Sequence, residues 1–61
     1  MRVLIVEDVA VVAMHVAMVI TELGHEICGT AASVSQAIEQ AIRRAPEVIL
    51  MDVRLQMVAA A

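Results

Sequence analysis

The sequence contains no aromatic residue and no lysine. Its 61 residues include no phenylalanine, tryptophan or tyrosine, so the commonest interface anchors and the platforms on which nucleic-acid bases stack are missing. The four basic residues are all arginines, and the net charge is −3. Because a nucleic-acid interface requires a basic stripe, we expect no nucleic-acid partner.

The sequence also lacks the features of secreted and membrane proteins. Its single cysteine, Cys28, excludes an intrachain disulfide and fits a reducing compartment. The amino end has no basic segment followed by an apolar segment and a small-residue cleavage site. The longest apolar stretch, residues 9–20, contains His15 and is too short to cross a bilayer. We therefore predict a cytoplasmic protein with no membrane partner.

The chain has an excess of apolar side chains. Hydrophobic residues make up 62% of the sequence, whereas roughly half is usual. A chain of this length forms at most one small domain and buries only about 60% of its unfolded surface. The apolar supply exceeds what such a monomer can bury, which predicts that a partner chain covers the remainder.

Two short apolar runs each lead directly into acidic residues. Residues 3–6 precede Glu7 and Asp8, and residues 48–51 precede Asp52. Such runs are typical of strands buried on both faces of a parallel sheet, and ligands collect at the carboxyl ends of such strands. We expect the three carboxylates at one rim of the sheet, where a divalent cation with oxygen ligands would relieve their repulsion.

The periodicity predicts the element order β-α-β-α-β. The strands are predicted at residues 2–6, 25–30 and 48–52, with helices at residues 9–23 and from 34 onward. The connections should be right-handed crossovers.

Three residues mark the predicted helix ends. Gly24 suits the left-handed position after the first helix. Ser33 and Gln36 have the spacing of a capping box at the start of the second helix, and Pro46 ends that helix.

The two predicted helices differ in character. The second is amphipathic, whereas the first is apolar on nearly all sides, interrupted only by His15, Thr21 and Glu22. A helix that is hydrophobic all round is normally buried. We therefore predict that the first helix is buried and that something covers its outer side.

Several segments of the chain resemble one known family. Residues 2–8 (RVLIVED), 23–26 (LGHE), 31–33 (AAS) and 48–55 (VILMDVRL) resemble successive elements of the receiver domains of bacterial two-component response regulators. The resemblance covers residues 1–55, and residues 56–61 form a tail that does not match. It implies a truncated flavodoxin-like fold: a three-layer α/β sandwich with parallel sheet order 2-1-3 and a helix on each face.

The resemblance also implies a site. Asp52 would accept a phosphoryl group, and a weakly bound Mg²⁺ would be held by Asp8, Asp52 and the backbone carbonyl of Arg54, with Glu7 acting through water or as a second acidic ligand. The family also uses a Ser or Thr ending its fourth strand and a Lys ending its fifth. No Ser or Thr follows Asp52 and lysine is absent, so we predict no productive phospho-switching and no enzymatic activity.

Structural roles are predicted for the other polar and sulfur-containing residues. Asp8 is also a candidate N-cap of the first helix, where a carboxylate is favourable. Structural roles at the surface, at an interface or in the core are predicted for the remaining residues: His15, His25, Cys28, Met14, Met18, Arg43 and Arg44.

The predicted function is self-association, as a homodimer or a higher homo-oligomer. The third strand, Val48, Ile49, Leu50 and Met51, would present an unpaired hydrophobic edge, and the first helix would add Val12, Val16 and Val19. A sensor histidine kinase or an intact response regulator are further possible partners. Two alternatives stay open: a phospho-acceptor whose missing groups come from a partner chain, and a membrane-surface peptide.

Overall fold

A computed structural model describes residues 1–51 of the chain. Its five elements are β1 (Arg2–Val6), α1 (Ala10–Glu22), β2 (Glu26–Ala31), α2 (Val34–Arg44) and β3 (Val48–Met51). The predicted order of elements is confirmed, and the described boundaries agree with the predicted ones to within one residue. Asp52, Arg54 and the tail lie outside the described residues.

The three strands form one parallel sheet with β1 in the middle. The strand order is β2-β1-β3, and both pairings are parallel, so the predicted flavodoxin-like arrangement is confirmed. Val3 and Ile5 lie on one face of the sheet and Leu4 and Val6 on the other, and all four are buried. The unbroken apolar run of β1 therefore reflects a central strand that is covered on both faces.

The hydrophobic core lies between β1, β2 and α2. Leu4 and Val6 pack there with Ala31 and Ala37, and the half-buried Cys28 and Ala41 extend the cluster. The small side chains of Ala37 and Ala41, one helical turn apart, allow α2 to approach the sheet closely.

Ser33 caps the start of α2 as predicted, whereas the Gln36 side chain bonds to the residue before the N-cap rather than to the N-cap itself. The Ser33 side chain accepts a hydrogen bond from the Gln36 backbone N–H at 3.2 Å, and Gln36 Oε1 accepts one from the Ala32 N–H at 2.8 Å. At the other end Ala45 takes the left-handed conformation, with φ +46°, and Pro46 follows. The helix ends where the sequence predicts.

Gly24 ends α1 in the left-handed conformation, with φ +92°. The Gly24 N–H donates to the Thr21 carbonyl at 3.0 Å and the His25 N–H to the Ile20 carbonyl at 3.2 Å. These two bonds define a Schellman motif, which satisfies carbonyls that have no partner within the helix.

The prediction that α1 is buried is wrong for the described structure. No residue of α1 is buried, and Met14, His15 and Met18 are exposed. The reason is that α1 packs only on β1 and β2, through one side that includes the half-buried Ala13 and Ala17. None of the described helices is long and apolar enough to span a membrane.

The second edge strand, β3, pairs with β1 along its whole length, and Arg2 binds the segment that leads into it. The Arg2 carbonyl accepts from the Glu47 N–H at 2.9 Å, and the Arg2 N–H donates to Glu47 Oε1 at 2.9 Å. The Arg2 guanidinium also donates to the Ala45 carbonyl at 2.9 Å. Within the described chain neither helix packs against β3, so the sheet is uncovered over this strand.

Candidate functional site

The carboxyl end of β1 forms the rim at which the acidic residues were predicted to meet. Val6, the last residue of β1, pairs with Met51 of β3, and Glu7 and Asp8 follow directly. The Glu7 N–H donates to the Ala31 carbonyl at the end of β2, at 2.9 Å. All three strands therefore converge at this rim.

Glu7 is buried at the rim rather than open to solvent. Its side chain is 9% exposed, and Oε2 accepts a hydrogen bond from the Val9 N–H at 3.0 Å. A carboxylate excluded from water requires such donors, because burying a charge without hydrogen bonds is costly. Sequence reasoning placed Glu7 near a metal through water and missed its contact with the entry to α1.

The hypothesis that Asp8 is the N-cap of α1 is wrong. The N-cap is Val9, in the extended conformation, and no side chain makes a capping hydrogen bond there. Asp8 is exposed. The physical reason is that the helix begins at Ala10, one residue later than predicted, and the nearest carboxylate bond to the backbone comes from Glu7.

The described residues include only some of the predicted metal ligands. Glu7 and Asp8 lie next to each other at the rim, but Asp52 and Arg54 lie outside the described residues. No group of three His, Cys, Asp or Glu side chains that could hold a metal occurs within residues 1–51. The Mg²⁺ site therefore stays a prediction.

Two clefts flank Glu7, which lines both of them. The first, about 340 Å³, lies between α1, the end of β2 and the start of α2, and includes Asp8, Thr30 and Gln36. The second, about 360 Å³, is the α1–β3 cleft, lined by Ile5, Val6, Glu7, Val16, Leu50 and Met51. Apart from Glu7 the α1–β3 cleft is apolar, so it is suited to apolar side chains rather than to a charged ligand.

The predicted interface residues are accessible in the described structure. Ile49, Leu50 and Met51 of β3 are 44%, 37% and 42% exposed, and Val48 is half-buried. On α1, Val12 and Val19 are 39% and 44% exposed, and Val16 faces the α1–β3 cleft.

The remaining polar residues that the sequence singled out have surface roles. The imidazole Nδ1 of His25 lies 3.1 Å from the Met1 amino group. Arg43 lies 3.8 Å from Glu39, and Arg44 Nε donates to Gln40 Oε1 at 3.3 Å. The exposed contacts of Arg43 and Arg44 stabilise the end of α2 only modestly.

Several known proteins are similar to this chain over most of its length. The chain is 40% identical over 55 residues to a protein-glutamate methylesterase/protein-glutamine glutaminase of Archaeoglobus fulgidus. It is 41% identical over 54 residues to the transcriptional regulatory protein PdtaR of Mycobacterium tuberculosis and 35% identical over 54 residues to the chemotaxis protein CheY of Thermotoga maritima. These alignments cover 90%, 88% and 88% of the chain.

The homologues are CheY-like receiver domains and response regulators, which confirms the resemblance predicted from the sequence. The chain is a homologue of the receiver domains of two-component response regulators, and at the level of the family this supports a role in two-component signalling. The chain spans less than half the length of these relatives: 16%, 26% and 45%. No family model matches the sequence, and the predicted boundary at residue 55 stays a prediction.

Proposed function

We propose that this chain acts in two-component signalling as a self-associating interaction module, without enzymatic activity and without productive phospho-switching. The observation that carries the proposal is the state of β3. Its outer edge has no paired strand within residues 1–51, and neither described helix covers its faces. Three of its four side chains are exposed and all four are apolar.

An open strand edge of this kind favours pairing with another chain. It presents a row of backbone donors and acceptors, and natural edge strands usually carry charges, prolines or bulges that prevent such pairing. β3 has the sequence VILM and carries none of these. Two copies related by a two-fold axis would pair their β3 strands antiparallel and form one continuous six-stranded sheet.

The same edge is open to other partner chains. A sensor histidine kinase or an intact response regulator that offers a strand or an apolar surface would compete with the second copy for β3.

The test is the molar mass of the 61-residue chain, measured by sedimentation velocity over a hundredfold range of concentration. We expect mass above that of a monomer, rising with concentration. Ile49→Lys places a charge on the exposed β3 edge and should lower the mass without loss of helical circular dichroism.

The matched control is Ile38→Lys, at a position on α2 that is 58% exposed and is not part of the sheet. It should leave the association unchanged. A chain that sediments as a monomer at every concentration would contradict the proposal, as would equal effects of the two lysine substitutions.

A second candidate function is Mg²⁺-dependent phospho-acceptance at Asp52, with the missing groups supplied by a partner chain. The observation that favours it is the register: Val6 pairs with Met51, and the next residues along the two segments are Glu7 and Asp52. Asp8, Asp52 and the Arg54 carbonyl would give Mg²⁺ three oxygens, with water completing an octahedron.

Under this second candidate, millimolar Mg²⁺ raises the melting temperature of the chain, because a ligand that binds only the folded state stabilises it by mass action. Asp52→Ala should abolish that rise, and Glu22→Ala, an exposed acid at the far end of α1, should not. A melting temperature that is indifferent to Mg²⁺ would exclude the site.

A further inference from the structure

We draw no further inference here: the strongest candidate, the largely apolar α1–β3 cleft with the exposed side chains beside it, is an unpartnered face, and nothing within residues 1–51 shows what covers it.

Discussion

At the scale of single residues, two adjacent acids at the carboxyl end of β1 have different physical roles. Glu7 is buried and binds the Val9 N–H through its carboxylate, whereas Asp8 is exposed and makes no capping bond. Glu7 thereby fixes the path from β1 into α1. Of these two acids, Asp8 is the one that is accessible from solvent.

This difference predicts unequal effects of two alanine substitutions. Glu7→Ala removes a hydrogen bond between a carboxylate and the backbone at a buried position, and should lower the free energy of unfolding by roughly 1–3 kcal/mol. Asp8→Ala at an exposed position should change it by less than about 0.5 kcal/mol. Urea unfolding followed by circular dichroism measures both, and a larger loss for Asp8→Ala would restore the capping role that the structure denies it.

At the scale of elements, the two helices show how differently a helix can attach to the same sheet. α2 has a side-chain N-cap, a contact face of small residues and charged residues on its outer side. Packing against one sheet is therefore enough to hold it. α1 has a well-formed Schellman end but no capping side chain at its start, and no buried residue in the described structure. Within the described residues, α1 therefore gains less from burial of its apolar side chains than α2 does.

The end of α2 offers a substitution that should stabilise the fold. Ala45 has φ +46°, where a side chain costs roughly 1–2 kcal/mol that glycine avoids, although glycine loses more entropy on folding. We expect Ala45→Gly to raise the free energy of unfolding by up to about 1 kcal/mol. Ala32→Gly, at an exposed position without positive φ, should lower it instead, and a loss at both positions would contradict the explanation.

At the scale of the whole molecule, the described sheet is covered over β1 and β2 and open over β3. Both helices contact β1 and β2, and neither contacts β3. The edge of β3 and the α1–β3 cleft are thus neighbouring open surfaces on one side of the molecule. This asymmetry is the observation on which the proposed self-association rests.

A further prediction at this scale concerns phosphorylation. A phosphoryl group shifts an assembly only if it interacts differently with two states of the chain, and receivers achieve this by recruiting a hydroxyl that biases a bistable element. We expect beryllofluoride or a small phosphodonor with Mg²⁺ to leave the sedimentation profile unchanged. A donor-dependent change of mass that disappears in Asp52→Asn would show that the chain switches, and would favour the second candidate function.

The sequence by itself determined the elements, because their signals are local. The apolar run of β1, the Ser33 N-cap, Gly24 and Pro46 each act through backbone geometry within a few residues. The resemblance to receivers then supplied the sheet order, which the fold confirms. These features needed no knowledge of how the elements pack.

Tertiary structure decided which carboxylate is buried and which helix face is covered. Glu7 and Asp8 are adjacent acids in the sequence, and only the packing around the end of β1 makes Glu7 buried and Asp8 exposed. The composition of α1 predicts burial, but within residues 1–51 the three strands give it only one covered side. Burial depends on how many layers surround an element, and that number is a property of the packed molecule rather than of the helix sequence.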